Sequence, residues 1–590
     1  MPGKRKRILE DDSTCSPITH KRPRRGFAPD LLSPLSDELL VRILLYLPLF
    51  DLLNLAPVSR RFYHLSGDSQ IWKRLYYLRF VLPRALRTPG FRDGSARDGS
   101  LQYSSRQATW TNGRKGGWVD MRFGGGAQDH NWKRQYKLRH NWARGKCAVE
   151  ELHLGDESRG LHVGNSPKMH VKVLQGIAVT ADSVTGLRAW DLKTKSLIAQ
   201  ASLSENDCHA SPTCLELDGQ LLSQGSIDIA LGFGDGSFGT WRLHVPRRQI
   251  VSSYRHEGSS NGEIIGIAFL HPYVLTATTS ILISLYTFDR PPPLNRQNHL
   301  EEAESNSRVE QVADGETAPE SDTEVPDRMG NESKPKLSAP YLLTSLKSHT
   351  SRAPLALYLR KTSGSAIASI AYTFSTIRGW SLGIQELHIR PIKSRSRSHP
   401  EITATQLAYT TAVNSRSRRH RHFTPSSPVA QADSAIHPAE GEEGQLDGPI
   451  NLSYTHPYLL ATLPDNTLIL HLCTSGSSSL SISPGIRLWG HTSGISDAEI
   501  TSRGKAVSVS TRGGEIRVWE LEGRTNGQSI EVRPACKAMG DGDDAAAFEQ
   551  SFPEHQLDDR RNWVGFDDEM VIVLKESNEG RESLLVYDFT

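Results

Sequence analysis

The sequence predicts a small all-α segment followed by an all-β propeller of seven blades, interrupted by two long disordered insertions. Three observations carry this. Apolar residues at helical spacing fill residues 31–82, and from Cys147 onward short β-rich runs separated by turn residues repeat one grammar. Two polar tracts, 291–340 and 391–448, hold too few apolar residues to bury a core of their own. Composition agrees: of 590 residues 37% are hydrophobic and 23% charged, with 48 Gly and 32 Pro, an apolar share below that of an ordinary globular chain. The six cysteines form no CxxC pair, which disfavours a disulfide framework and a structural zinc site and fits a reducing compartment. No apolar run approaches the roughly 18 residues of a membrane span, and the basic N-terminus leads into no apolar signal region, so neither a membrane nor secretion is expected.

The net charge of +3 conceals an asymmetry: residues 1–150 hold 28 Lys/Arg against 13 Asp/Glu, and the remaining chain 41 against 53. The densest clusters are Lys4, Arg5, Lys6 and Arg7, then Lys21, Arg22, Arg24 and Arg25, 13 residues further on in a tail, 1–30, that reads as disordered. That spacing resembles a bipartite nuclear import signal and predicts a nuclear protein, with the cytoplasm as a second location. Nucleic acid is not the expected partner of this tail.

Order should begin at Leu31. Leu39, Leu40, Ile43, Leu44 and Leu47 form one apolar stripe, with Ser36 placed as N-cap, Asp37 and Glu38 in the first turn, and Pro48 closing the helix. Further short helices follow through Asp51–Leu55, Val58–Leu65 and Ile71–Leu75, each too short to stand alone. The run Leu35, Glu38-Leu39-Leu40, Ile43-Leu44, Leu47-Pro48, Asp51-Leu52-Leu53, Val58-Ser59-Arg60-Arg61-Phe62 and Ile71-Trp72-Lys73-Arg74-Leu75 resembles an F-box, departing from it at Ser36, where the family has Pro. The resemblance implies a unit that docks on the adaptor linking it to a cullin scaffold, with Leu35, Leu39, Leu40, Ile43, Leu44, Leu47, Pro48, Leu52 and Val58 forming or supporting that interface.

Residues 83–146 read as a linker, Gly- and Arg-rich over 84–131 and without sustained period. Trp132-Lys133-Arg134-Gln135-Tyr136 then echoes Trp72-Lys73-Arg74-Leu75-Tyr76, and the run on to Trp142 and Gly145 resembles the linker helix of F-box proteins whose next domain is a WD-repeat propeller.

Over 147–590 the repeats carry eroded WD signatures: Trp190-Asp191 is intact, Trp241 follows a turn with Asp235, and Gly490-His491 precedes Trp519-Glu520 with Gly513 where the turn Asp would stand. His271-Pro272-Tyr273 and His456-Pro457-Tyr458 open two nearly superimposable segments, and weaker copies span Tyr341 to Ile389, Ile450 to Trp489 and Trp563 to Phe589. With the polar tracts 291–340, 391–448 and 535–560 set aside, seven blades average about 44 residues, the length of a WD repeat.

No catalytic, metal or cofactor constellation stands out. There is no GxSxG, no HExxH and no Cys/His ligand spacing, and the glycine-rich Gly232–Gly236 run precedes a strand, as a β-turn does. His491 reads as a donor within its own blade. Phosphopeptide-reading F-box/WD proteins place an arginine seven residues before the blade Trp; here that position holds Arg512 before Trp519, but Ser183 and Gly234 before Trp190 and Trp241. The resemblance implies a non-catalytic substrate receptor of an SCF-type ubiquitin ligase, its substrate protein phosphorylated or not. A nuclear WD scaffold whose F-box directs no ubiquitination remains the alternative. If the basic pairs are an import signal, replacing Lys4–Arg7 and Lys21–Arg25 with Ala shifts a tagged protein to the cytoplasm; an unaltered distribution by microscopy rejects the signal.

Overall fold

The computed structural model describes residues 31–85 (without 33), 108–110, 118–120, 131–154, 169–203, 210–289, 339–390, 400–412, 448–521, 529–534, 563–576 and 582–590, less residues 349, 363, 364, 378, 477, 503, 512 and 513. The chain divides into two compact units, residues 1–81 with 130–136, and residues 82–129 with 137–590. No described helix is long and apolar enough to cross a membrane.

In the first unit, helices α1 (Asp37–Leu44), α2 (Leu49–Leu55), α3 (Arg60–Ser66) and α4 (Ser69–Tyr76) follow one another with a 3-10 turn at Ala56–Val58. Ser36 is the N-cap of α1, but its side chain caps nothing. Asp37 is held instead by Arg61, whose guanidinium lies 2.8 Å from the carboxylate and also donates to the Leu35 carbonyl. Ser59 Oγ accepts from Phe62 N at 3.2 Å and Asp68 Oδ1 from Gln70 N at 2.8 Å, so α3 and α4 carry the side-chain caps that α1 lacks. Helices this short hold together by packing, and Leu40, Leu44, Leu52, Leu65, Ile71, Trp72 and Tyr136 form one buried core.

The repeated Trp-Lys…Tyr turn explains how residues 131–136 join that core. Helix α5 is the short turn Leu82–Ala85, and α6 runs Trp132–Trp142. Trp72 meets Tyr136 edge-on at 5.4 Å between ring centroids, and Tyr76 meets Trp132 at 5.5 Å. The lysines complete the exchange: Lys133 Nζ lies 5.5 Å from the Trp72 ring and Lys73 Nζ 5.6 Å from the Trp132 ring. Each copy therefore supplies the ring and the cation that the other needs, at about 0.5–1.5 kcal/mol per aromatic pair beyond burial.

In the tract read as linker, Ala108–Trp110 and Trp118–Asp120 pair as a short antiparallel hairpin that no periodicity announced.

The second unit is a seven-bladed propeller. Its described strands form antiparallel sheets over 170–201, 212–255, 264–347, 351–409, 451–488 and 495–531, and a seventh over 563–588. The innermost strand of each blade lies against that of the next, and the innermost strand of blade 7 against that of blade 1, which closes the ring. Blade 7 takes its outer strand from the other end of the propeller: Lys146–His153 pairs antiparallel with Glu582–Asp588, with Val149 opposite Tyr587 and Leu152 opposite Leu584. Arg533–Pro534, just past blade 6, runs parallel along Lys146 and Cys147. Beneath this seam Trp142, 1% exposed, stacks on Phe589 at 3.9 Å and 8°. Its Nε1 donates to the Asp568 carbonyl at 3.0 Å, and Lys505 Nζ stands 3.7 Å from the ring. Gly145 turns the chain into the seam at φ +65°, where a Cβ would lie 2.2 Å from the Glu531 carbonyl oxygen, so no other residue fits without displacing backbone.

Two boundaries differ from the sequence reading. Tyr341–Lys347 is the outer strand of blade 3, not the opening of the next repeat, so the tract 291–340 falls inside a blade. Glu401–Tyr409 lies within the tract 391–448 assigned to an insertion, yet it pairs with Gly379–Arg390 as the outer strand of blade 4. Nine residues alternating between exposed and inward positions were averaged away by the Arg- and Ser-rich sequence around them.

The seam predicts a large effect at one side chain. Trp142→Ala removes a buried ring, and denaturant unfolding of the full chain should show the propeller transition destabilised by about 3–5 kcal/mol; a change below about 1 kcal/mol would mean that Trp142 does not hold the closure.

Candidate functional site

The apolar stripe of α1 divides between two faces. Leu40 and Leu44 are 2% and 3% exposed and Leu52 is fully buried, all in the helical core. Leu39 and Ile43, one turn apart on the other face, are 51% and 48% exposed. Of the residues expected at an adaptor interface, Leu39, Ile43, Pro48 and Val58 face outward and Leu35 and Leu47 are half-buried. Leu40, Leu44 and Leu52 touch no surface: of the two roles expected, forming the interface or supporting it, their burial in the helical core allows only support. The outward set is larger than the sequence suggested. Tyr46 and Phe50 are 75% and 76% exposed, with Leu53 and Tyr63 exposed as well. Tyr46 lies in the turn after α1 and Phe50 in the first turn of α2, past Pro48, so the helical spacing that relates Leu39 to Ile43 does not extend to them.

Residues 1–30 and Arg512 lie outside the described residues, so neither the import clusters nor the arginine seven positions before Trp519 has a described environment. The blade that contains Arg512 is otherwise clear. His491 Nε2 shares a hydrogen bond with Ser508 Oγ at 2.6 Å, and Trp519 Nε1 donates to the same hydroxyl at 2.9 Å. The acid is Glu515 rather than a residue at 513: it accepts from Thr492 N at 3.0 Å and Thr492 Oγ1 at 2.9 Å, and lies 3.4 Å from His491 Nδ1. Burial alone would raise its carboxyl, but the Thr492 and Arg517 donors hold it down at about 2. His491 is thus a structural residue of its blade. In blade 1, Trp190 Nε1 donates to Thr180 Oγ1 at 3.2 Å and Asp191 caps the following turn through Lys193 N.

Charge collects in the central channel. Lys172, on the innermost strand of blade 1, lies 3.4 Å from Glu216 of blade 2 and 3.9 Å from Glu499 of blade 6. Blade 7 stands between blades 6 and 1, so the lysine reaches across the channel. Asp497 adds a third carboxylate, accepting from Asn451 Nδ2 at 2.5 Å and Val564 N at 3.2 Å. Glu216 above all holds the Lys172 ammonium above its ordinary range. Burial pushes the Glu499 carboxyl up, Lys172 pulls it back, and Asp497 and Glu216 add to the rise, leaving it at about 7. Among the described residues no group of three or more His, Cys, Asp or Glu is arranged to hold a metal ion.

Comparison with known proteins places this arrangement. The model of the F-box protein pof12 beta-propeller family matches residues 147–590, three quarters of the chain, and an F-box-like model matches residues 37–78. The chain belongs to the F-box protein pof12 beta-propeller family. Over 73 residues, 12% of this chain, it is 42% identical to the F-box protein pof12 of Schizosaccharomyces pombe, and over 79 residues, 13% of the chain, 39% identical to the F-box only protein 15 of Bos taurus. Each match spans 16% of the relative's own length. The solved C-terminal WD40 domain of Sif2 aligns over 75% of this chain and 98% of its own at 10% identity and a TM-score of 0.34; the propeller rests on the strand order above, not on that overlay.

Composition hid the channel cluster, because Lys172, Glu216, Asp497 and Glu499 are scattered over more than 300 residues and meet only when the ring closes. It has a measurable sign. The native state binds a proton on Glu499 more tightly than the unfolded chain does between the ordinary carboxylate range and about pH 7, so stability falls as pH rises through that window and levels off above it. Glu499→Gln escapes this loss. Its Tm should match wild type near pH 5 and exceed it at pH 8; a Tm difference that does not change with pH would show Glu499 to be an ordinary carboxylate.

Proposed function

We propose that this F-box protein is the substrate-binding subunit of an SCF-type ubiquitin ligase, its helical unit docking on the cullin-linking adaptor and its propeller holding the substrate protein. The exposed apolar face of the helical unit carries the reading. Leu39, Ile43, Tyr46, Phe50, Val58 and Tyr63 are each 48–76% exposed within a helical unit whose core is already filled by other side chains. Surfaces of that kind on a small unit mark a protein interface, and aromatic and aliphatic anchors supply most of its binding energy. The F-box-like match over residues 37–78 supports the same conclusion, since F-box domains in general link to such adaptors. The chain's contribution to ubiquitin transfer is then positional: holding a substrate lysine near the charged carrier raises its effective concentration. The basic pairs within residues 1–30 support a nuclear setting for this work.

The two faces of α1 give the test its control. In the full chain, Leu39→Ala with Ile43→Ala should abolish co-purification with the adaptor while leaving unfolding unchanged, each truncation removing more than about 1 kcal/mol of binding. Leu44→Ala should lower stability by about 2–5 kcal/mol through its cavity. A chain lacking residues 31–82 should still capture substrate and leave it unmodified. Full adaptor binding by the double variant overturns the docking face, and captured proteins that carry no ubiquitin in the presence of the intact F-box favour the scaffold.

A further inference from the structure

The outer strand of a blade has one edge with no neighbour in its own sheet, and an open backbone edge recruits another strand unless something guards it. Most blades here guard theirs. The outer strands of blades 1 and 2, Ser196–Ala201 and Gln249–Arg255, run close to each other, and the second is bounded by Arg247, Arg248 and Arg255. Blade 3 ends its strand on Lys347, and blade 5 breaks its own at Pro484, between Leu480–Ile482 and Ile486–Leu488. Blade 6 has only the short Ser529–Glu531, and Arg533–Pro534 flanks the outer strand of blade 7. Blade 4 differs. Its outer strand Glu401–Tyr409 carries no charge and no proline from Ile402 to Tyr409, and among the described strands it pairs only with Gly379–Arg390. The irregularity opposite His388 and Ile389 leaves Ala404–Tyr409 regular. Thr410 N donates to the Leu382 carbonyl at 2.9 Å, which sets the alternation of the ladder: the backbone groups of Ala404, Gln406 and Ala408 turn toward the neighbouring strand, and those of Thr405, Leu407 and Tyr409 turn away. The side chains of these last three are exposed, Leu407 by 47% and Tyr409 by 55%. Gln406 points the other way and donates to the Gly476 carbonyl of blade 5 at 3.2 Å, so that face is already covered.

We infer that a second copy of this chain pairs with this strand, edge to edge and antiparallel, about a two-fold axis at Leu407. The sequence is its own complement in that register. Leu407 stands opposite Leu407, Thr405 opposite Tyr409 and Thr403 opposite Thr411, so no like charges meet and each aromatic ring faces a β-branched residue. Moving the axis to Thr405 drives the irregular stretch before Ala404 into the ladder, and moving it to Tyr409 carries the partner of Thr405 past the end of the strand. The pairing satisfies the backbone groups that Thr405, Leu407 and Tyr409 turn outward and joins two blades into one continuous sheet. A contact of one strand from each copy falls below the roughly 1,200 Å² of a standard interface, so the dimer dissociates at about 1 µM or above. The inference stands apart from the adaptor reading, because it involves the propeller alone.

Sedimentation of the full-length chain, from well below to well above micromolar concentration, tests the pairing, with circular dichroism confirming the fold of each variant. Wild type should pass from monomer to dimer across that range and form nothing larger. Leu407→Lys and Leu407→Glu each set like charges against each other on the axis and should weaken dimerisation by about tenfold or more. A mixture of the two should pair again, because opposite charges then meet. Thr405→Pro removes an outward N–H and none of the bonds to Gly379–Arg390, and it too should stay monomeric. A wild-type chain that is monomeric throughout, or that grows beyond the dimer, overturns the inference. So does a Leu407→Lys dimer as tight as wild type, and a mixture of the two charged variants that does not recover removes the axis from Leu407 and the inference with it.

Discussion

The pairing of Lys146–His153 with Glu582–Asp588 is the constraint on which the propeller depends. A ring of sheets has no stable partial form in which every inner strand is covered on both sides, and the last blade lacks its outer strand until the first residues of the propeller return to it. Everything near the seam serves that return. Gly145 supplies a left-handed turn where a side chain would collide with backbone, Arg533–Pro534 covers the outer edge of the closing strand, and Trp142 seals the base of blade 7 against Phe589. Closure also creates the channel chemistry, since Lys172, Glu216 and Glu499 come from blades 1, 2 and 6 and have no reason to meet in an open chain.

The helical unit solves a different problem with a different economy. Its helices are seven or eight residues long, below the length at which a helix persists alone, so nearly every inward side chain is committed to a shared core. What remains outward is unusually apolar. Polar groups are used sparingly: at the surface Arg61 ties the start of α3 to the start of α1, and in the core Trp72 Nε1 donates to the Ser66 carbonyl at 2.7 Å. The duplicated Trp-Lys…Tyr turn lets residues 132–136 complete the core by reciprocal ring and cation contacts. A unit so built has little to rearrange on binding, which lowers the ordering cost of an interface formed by its outer face.

Buried polar groups mark where the propeller's blades are specified. Between blades 4 and 5, Glu386 is fully buried and accepts from Arg360 Nη2 at 3.0 Å, Ser369 Oγ at 3.2 Å and Ser475 Oγ at 2.5 Å. Such a network adds little net stability over an apolar replacement, but loss of one partner strands a charge in the core. It favours one pairing of neighbouring blades over any shifted one, as the His491, Ser508, Trp519 and Glu515 group does within blade 6.

Local sequence by itself determined the helical segment, the repeated strand–turn–strand grammar and the number of blades, because apolar periodicity, turn residues and repeat length are properties of short windows. It grouped Leu39, Ile43 and Val58 with Leu40, Leu44 and Leu52 in one set, without separating the exposed residues from the buried ones. A helical stripe shows which residues are apolar, and only packing against α2 to α4 decides which side of a wide stripe is inside. The same limit hid Glu401–Tyr409 in a charged tract, because an outer strand is defined by the neighbour it pairs with. Blade closure, the channel cluster and Glu515 in place of an acid at 513 were left to the tertiary structure, since each depends on groups brought together from distant parts of the chain by the ring.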